Sequence, residues 1–355
     1  MKKKIRIGMI GLGGMGGHHF GCHQRNPRME VVATCDIIRE RAENAAKQIG
    51  LADKHVYTDF KEMIDNEKLD AIDIATPNYW HSIMAVYALD RGLHVFCEKP
   101  DAVSVKEATK MKEAAERNGK VLMCMRNNRY YTNSAYLKKF IEDGGCGEIY
   151  CGRCGWIRRR GIPGRGGWFT TKALSGGGPL IDLGVHMIDL SIWLMGNPTP
   201  VSVSGCTFNK FADDSAESDS VHSKYGDAKA DGTFDVEDLA MGFIRFDNGA
   251  CLQIEFSWAS NIERETRFVE LRGTKAGISW CDNGDAKIFG EANGHLSDDK
   301  FSAGMGDGHE AALLHFTRIV LDGDKPDYVP TQGVNMIKIL EAMYKSAKTG
   351  KEVRL

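Results

Sequence analysis

Gly11, Gly13 and Gly16 follow the apolar run Ile5 to Ile10 and open an amphipathic stretch, and an acid, Asp36, stands twenty residues beyond Gly16. Each glycine meets a separate demand of one chemistry. Gly11 permits a tight strand-to-helix turn, Gly13 lets backbone N–H groups approach a pyrophosphate, and Gly16 lets the helix pack closely on its strand. Gly14 and Met15 complete the turn, and the helix N-terminus behind them would face the phosphates. Asp36 ends a second β-like run, Glu30 to Cys35, where its carboxylate can accept hydrogen bonds from the adenosine ribose. A 2'-phosphate would be repelled there, so the spacing predicts NAD over NADP. FAD and S-adenosylmethionine proteins use related turns, and the glycines alone do not exclude them.

Two further sets of residues could carry chemistry. A strand running into Glu98-Lys99-Pro100 delivers Lys99 to the carboxyl edge of a parallel sheet, where ligands bind in open α/β folds. The strand before it delivers Thr76, Asn78 and His81 to the same edge. Farther on, Asp182, His186 and Asp189 are spaced by four and three behind the glycine run Gly176 to Gly178, so on a helix they share one face. An imidazole beside a carboxylate suits proton transfer near neutral pH. A satisfied polar helix face and an Asp/His metal site are the other readings of this cluster, and no second ligand pair supports the metal.

The elements that must position these groups are legible as a pattern. Up to residue 125, β-like runs (Ile5 to Ile10, Val31 to Cys35, Ala71 to Thr76, His94 to Cys97, Val121 to Met125) alternate with segments of helical spacing (Arg39 to Ile49, Ser82 to Asp90, Lys106 to Asn118). That alternation predicts βαβ units and a doubly wound, parallel-sheet Rossmann domain over 1–125. Ser104 with Glu107 reads as a capping box, and Gly119 as a helix stop. Residues 126–355 are expected to form an α+β domain with a large, mainly antiparallel open sheet, the hairpin Asp247-Asn248-Gly249 being its clearest turn. In Cys251 to Trp258, Leu252, Ile254, Phe256 and Trp258 share one face and Gln253, Glu255 and Ser257 the other. Ala212 to Thr233 reads as a long polar loop, and a closing helix is expected over about 333–347.

Composition excludes several classes. The 355 residues are 42% hydrophobic and 26% charged with a formal net charge of −2, so no field draws nucleic acid or an anionic membrane. The opening Met1-Lys2-Lys3-Lys4 leads into the glycine turn and not to a cleavage site, and no apolar stretch is long enough to span a bilayer. A cytoplasmic location is expected. Ten scattered cysteines do not form a disulfide framework. Cys146, Cys151 and Cys154 imitate an iron–sulfur spacing, but an extended run puts Cys151 and Cys154 on opposite faces, and no metal is expected.

The combination Gly11-x-Gly13-x-x-Gly16, Glu98-Lys99-Pro100 and Asp182-x-x-x-His186 resembles the glucose–fructose oxidoreductase, inositol dehydrogenase and rhizopine-catabolism (Gfo/Idh/MocA) family over nearly the whole chain. The likeness extends to Ser257-Trp258 and to the helix Glu341 to Ala347, and argues against FAD and S-adenosylmethionine. It implies a nicotinamide dehydrogenase acting on a secondary alcohol of a sugar or cyclitol, such as a glucoside at C3 or an inositol. By this resemblance Lys99 and His186 flank the reacting hydroxyl with Asp182 nearby: His186 takes the proton and Lys99 stabilises alkoxide charge and relays the proton. Family members line the substrate pocket at positions that here hold Met125, Arg126 and Asn127, then Trp156 and Arg158. Trp156 with the run Arg158 to Arg160 and the loop Gly161-Ile162-Pro163-Gly164 depart from the commoner pattern and open the pocket to a larger or glycosylated substrate, solvated strand arginines being the other reading; Trp168 is a further candidate. The resemblance leaves two alternatives, a glycosidase that oxidises C3 transiently and a sugar sensor without chemistry. An open sheet with one amphipathic face implies a homo-oligomer.

Overall fold

The computed structural model describes residues 4–212, 226, 228–302, 304 and 306–355. Its chain divides into two compact units, 1–125 with 309–334, and 126–308 with 335–355.

The first unit alternates strand and helix throughout: β1 (Ile5–Ile10), α1 (Gly14–Arg25), β2 (Met29–Cys35), α2 (Arg39–Gln48), β3 (Val56–Tyr57), α3 (Phe60–Asn66), β4 (Ala71–Ile74), α4 (Tyr79–Leu89), β5 (His94–Cys97), α5 (Val105–Asn118) and β6 (Leu122–Cys124). The six strands are all parallel, in the order β3-β2-β1-β4-β5-β6. The order reverses between β1 and β4, so the loops after these strands, at Gly11 and Thr76, border the crevice where such sheets bind ligands. Short strands buried on both faces explain the continuous apolar runs of the sequence. Ser104 caps α5 by accepting the Glu107 N–H at 3.2 Å, and Gly119 ends it in the left-handed conformation. The Glu107 carboxylate goes to Ser82 and Lys110.

The second unit contains α6 (Thr132–Glu142), β7 (Ile149–Ile157), α7 (Lys172–Ser175), a π-turn (Leu180–Gly184) and α8 (Val185–Leu194). After these come β8 (Pro200–Phe208), β9 (Leu239–Phe246), β10 (Cys251–Ser257), β11 (Thr266–Gly273), β12 (Gly277–Cys281), β13 (Asp285–Ala292) and β14 (His295–Ser302). Two long helices, α9 (Gly308–Asp322) and α10 (Pro330–Thr349), precede the short closing strand β15 (Val353–Arg354). The nine strands run β14-β13-β12-β11-β7-β10-β9-β8-β15, antiparallel at every pairing except β7 with β10. Leu252, Ile254, Phe256 and Trp258 face the core and are fully buried, while Gln253 is exposed. Ser257 departs from the expected outward face: it is buried, with its hydroxyl accepting from Ser260. Gly249 turns the β9–β10 hairpin at φ +85°. In β7, Cys154 is buried and Cys151 partly exposed, on opposite faces. Most of the expected loop Ala212 to Thr233 falls outside the described residues.

The segment His309–Val334 groups with the first unit, although the sequence pattern assigns everything beyond 125 to the second. The reason is local: Phe316 of α9 meets Phe96 of β5 edge-on at 5.5 Å, Asn26 donates to Thr317 at 2.8 Å, and Arg28 makes a bidentate pair with Asp322. Pro330 at its start lets α10 begin earlier than expected, since the first turn needs no N–H there. Phe316 is fully buried. Phe316→Ala should destabilise the protein by about 3–5 kcal/mol in urea unfolding; a loss under about 1 kcal/mol would contradict this docking.

Candidate active site

In the first unit the glycine turn is set by contact. A Cβ on Gly16 would lie 1.9 Å from the Gly11 carbonyl oxygen, and one on Gly11, at φ +85°, would lie 2.5 Å from the Ala75 oxygen. Helix α1 therefore rests on the turn with only backbone between. Gly13 and Gly14 differ: a Cβ on Gly14 meets nothing within 4 Å, and on Gly13 only the Arg41 guanidinium at 3.8 Å. No side chain caps α1 and its first turn holds no acid. Its leading N–H groups thus border open space at the positive end of a helix, a setting that suits an anion. Asp36 follows β2, with Oδ2 accepting the Leu12 N–H at 2.7 Å and Oδ1 the Ile38 N–H at 2.8 Å. Each oxygen keeps a lone pair for a ribose hydroxyl. The residues fit a dinucleotide: backbone donors for the pyrophosphate, space above the glycines, and a fixed carboxylate at the second strand. Arg41 beside this turn escaped the sequence reading, because nothing in its local pattern separates it from a surface arginine.

The loops after β4 and β5 are tied together by His81. This imidazole, expected to face the cofactor, is fully buried, with Nδ1 2.7 Å from the Pro100 oxygen and Nε2 2.9 Å from the Thr76 oxygen. Burial pushes its pKa down, against the two carbonyls. It is a clamp between two loops and not a cofactor ligand. Thr76 is half-buried and Asn78, at the start of α4, is buried. Glu98 is likewise turned inward. Its Oε1 lies 3.0 Å from His19 Nε2, and its Oε2 accepts the Lys99 N–H at 2.9 Å. His19 Nδ1 lies 3.1 Å from both oxygens of Asp73 on β4, and His23 Nε2 lies 2.8 Å from Asp73 Oδ2. Burial opposes charge on His19, but Asp73 and then Glu98 overcome it and raise the imidazole to about 10. Burial opposes charge on Glu98 too, yet His19, His309 and Lys99 hold it at about 2. Lys99 is half-buried at the end of this chain of contacts.

In the second unit Asp182 and His186 lie on the π-turn and the first turn of α8, not on one regular helix. Single π-turns recur at functional sites. The glycine lead-in is fitted to its neighbours: a Cβ on Gly177 would lie 1.9 Å from the Tyr344 hydroxyl oxygen, and one on Gly178 1.9 Å from the Glu237 carbonyl. The buried Glu237 carboxylate accepts the N–H groups of Gly178 and Leu180 at 3.0 and 3.1 Å and the Tyr344 hydroxyl at 3.0 Å. Burial pushes this carboxyl up, against those donors. Asp182 Oδ2 accepts from the indole N–H of the fully buried Trp258 at 3.0 Å. His186 is half-buried, its ring 6.1 Å from that of Trp156. The Trp156 indole donates to Glu265 at 2.8 Å and lies under two guanidinium groups, Arg267 at 4.3 Å and Arg158 at 4.9 Å. Arg267 and Glu265 were not evident from sequence; Arg267 stands opposite Trp156 in the β11–β7 register.

Other expected ligands are used elsewhere. Arg126 donates through Nε to Asp189 at 2.9 Å, and Arg129 makes a bidentate pair with the same carboxylate, all three buried. Asp189 thus anchors the segment after β6 to α8, and this Nε is not offered to a sugar. Asn127 is buried with Nδ2 donating to Tyr131 and Oδ1 lacking a hydrogen-bond partner. Arg159 and Arg160 bond to loop carbonyls and Asn261. Trp168 stacks on Phe169 at 3.7 Å, and no described contact joins it to Trp156 or His186.

A family described as "Oxidoreductase family, NAD-binding Rossmann fold" matches residues 5–125, and its "C-terminal alpha/beta domain" matches 138–355. The chain belongs to the Gfo/Idh/MocA oxidoreductase family. It is an oxidoreductase, and its cofactor is NAD. Among Gfo/Idh/MocA relatives, the D-glucoside 3-dehydrogenase of Escherichia coli K12 is 32% identical, over 99% of this chain and 97% of its own. The scyllo-inositol 2-dehydrogenase (NAD(+)) of Bacillus subtilis 168 is 27% identical over 78% of this chain and 74% of its own. The crystal structure of GenD2 from gentamicin A biosynthesis, in complex with NAD, has a TM-score of 0.79 and 26% identity, covering 100% of this chain and 97% of its own.

The glycines separate binding from folding. Gly13→Val should leave the melting temperature unchanged, because Gly13 has an extended backbone and open space, and should weaken NAD about tenfold or more in calorimetry. Gly16→Ala should unfold the turn. The reverse pattern would refute the assignment. The His19 cluster predicts a pH dependence: its imidazole stabilises the fold fully below its ordinary 6.5, and the contribution is lost as pH rises through about 10. Melting curves of wild type and His19→Gln should converge over that range, and a constant difference would contradict the charged state.

Proposed function

We propose that the protein oxidises a ring hydroxyl of a glucoside, at C3, and reduces the corresponding ketone. The observation that carries this reading is the cluster in which Trp258 orients Asp182 and Trp156 stands beside His186. An indole offers an apolar face to a pyranose, and an imidazole and a carboxylate suit the proton of a secondary alcohol. Similarity to the glucoside 3-dehydrogenase over nearly the whole length supports the substrate class. Gly11, Gly13, Gly14, Met15, Gly16 and Asp36 would hold NAD, which supplies the hydride acceptor when bound. In oxidation, His186 takes the hydroxyl proton, and Asp182 fixes and charges its surroundings. The Lys99 ammonium donates to the oxygen as negative charge develops on it. In the reverse direction His186 returns the proton.

We propose a cytoplasmic location; among the described residues no helix is long and apolar enough to cross a membrane. The same reading makes the protein a homo-oligomer through the open face of the nine-stranded sheet. Strand register sets Phe208, Met241 and Phe289 on that one face, all exposed, and light scattering reading a monomer would contradict it.

Purified protein with NAD and a panel of methyl glucosides, free hexoses and inositols should accumulate NADH and a 3-keto glucoside. Release of the aglycone without net NADH would mean the glycosidase reaction. Turnover only of inositols would correct the substrate. His186→Ala should lower kcat about 10²- to 10⁴-fold with NAD affinity unchanged, and a smaller loss would remove His186 from the proton step.

A further inference from the structure

The turn that carries Lys99 is held from three directions inside the first unit. Glu98 contacts His19 of α1, the Pro100 oxygen contacts His81 of α4, and Asp101 accepts from the Tyr328 hydroxyl in the connection between α9 and α10. Of these, the contact through His19 has no ready explanation as packing. It places two carboxylates and an imidazole, all buried, between α1 and the sheet, and His23 beside them leaves Nδ1 without a hydrogen-bond partner. Removing such charges from water carries a large desolvation penalty for each ion, and apolar side chains of similar size generally fill such an interface at less cost. A stabilising role alone therefore accounts poorly for the cluster.

We propose that His19, wedged between Asp73 and Glu98, is a positioning residue for Lys99. Asp73, on a central strand, fixes the imidazole at 3.1 Å through Nδ1, and leaves Nε2 3.0 Å from Glu98 Oε1, an ion-pair contact without hydrogen-bond geometry. The other Glu98 oxygen takes the Lys99 N–H at 2.9 Å. The lysine thus projects from a backbone tied by a line of contacts from strand to helix to loop. Glu98 also keeps a negative charge beside the Lys99 ammonium, and the charge is sustained because the imidazolium of His19 balances it. The groups facing His19 are Asp73 from β4, Glu98 from the end of β5, His23 from its own helix and His309 from α9, whose ring lies 6.0 Å away. Two acids against these imidazoles keep His19 protonated well past neutrality. Because α1 is also the helix whose N-terminus faces the glycine turn, one element carries both the expected phosphate site and the brace of the lysine.

This inference rests on the reading of Lys99 as a group that serves the reacting hydroxyl. Its test has two arms. In the first, imidazole NMR of the cofactor-free protein should show one histidine in the doubly protonated form from pH 7 to 9, and that signal should vanish in His19→Gln. A neutral His19 at pH 7 would overturn the proposal whether or not any substrate turns over, and this arm needs no variant beyond the one used for assignment. In the second, Glu98→Gln and His19→Gln are compared with wild type on the glucoside. Expected are a fall in kcat of about tenfold or more, NAD affinity within about threefold of wild type, and an alkaline limb of the kcat–pH profile moved to lower pH. Folded variants with the wild-type kcat and profile would reduce the cluster to a structural one and overturn the proposal. If wild type turns over nothing on the panel, the proposed function fails, and the NMR arm still decides the charge and contact of His19.

Discussion

The rest of the site depends on the contact between two peptide units, where α1 crosses the turn at Gly11 with no side chain between them. A helix held off by even one methyl group would tilt away from the strand, since that methyl would sit 1.9 Å from a carbonyl oxygen. With glycine there, the axis of α1 is fixed and its uncapped N–H groups border the crevice beside β1 and β4. Two consequences follow from the one contact. The N–H groups are fixed where the proposed phosphate site needs donors, and His19, on the second turn of the same helix, is carried to Asp73 and Glu98.

The second unit uses a different device for the same end. Where the glycine turn removes side chains, the lead-in to Asp182 buries polar ones and satisfies them. Glu237 gathers two backbone N–H groups and a tyrosine hydroxyl, so the glycine lead-in to Asp182 has one conformation. Trp258 then takes one Asp182 oxygen and Asn128 the His186 carbonyl, at 3.0 and 3.3 Å. The π-turn takes the place of a regular helical step between Asp182 and His186. Each side chain of the proposed proton step is thus braced by a partner that is itself braced, as geometry-dependent chemistry requires.

Much of this was legible in the chain. The glycine spacing, the acid after the second strand and the lysine at a strand end express local rules, a turn and a strand end, whereas the regular helical step expected from Asp182 to His186 is replaced by a π-turn. The fold class followed from periodicity for the same reason. What escaped was set by partners distant in sequence. His81 is near the right loop yet turned inward, because its position depends on the Thr76 and Pro100 oxygens. Arg126 looked like a sugar donor until Asp189, sixty-three residues away, accepted from it. His19 and Asp73 gave no signal, since a histidine in a helix and an aspartate in an apolar strand are read singly as exceptions. The regrouping of α9 with the first unit likewise depends on Phe96, Asn26 and Arg28, which periodicity cannot pair with it.

The central claim is that a fixed carboxylate at the end of β2 and bare N–H groups at the start of α1 read one dinucleotide. Titration calorimetry of the unmodified protein with NAD and then NADP tests it most directly. The account predicts that NAD binds more tightly by about tenfold or more, because Asp36 accepts from the ribose hydroxyls and repels a phosphate in their place. Equal affinities, or a preference for NADP, would contradict it.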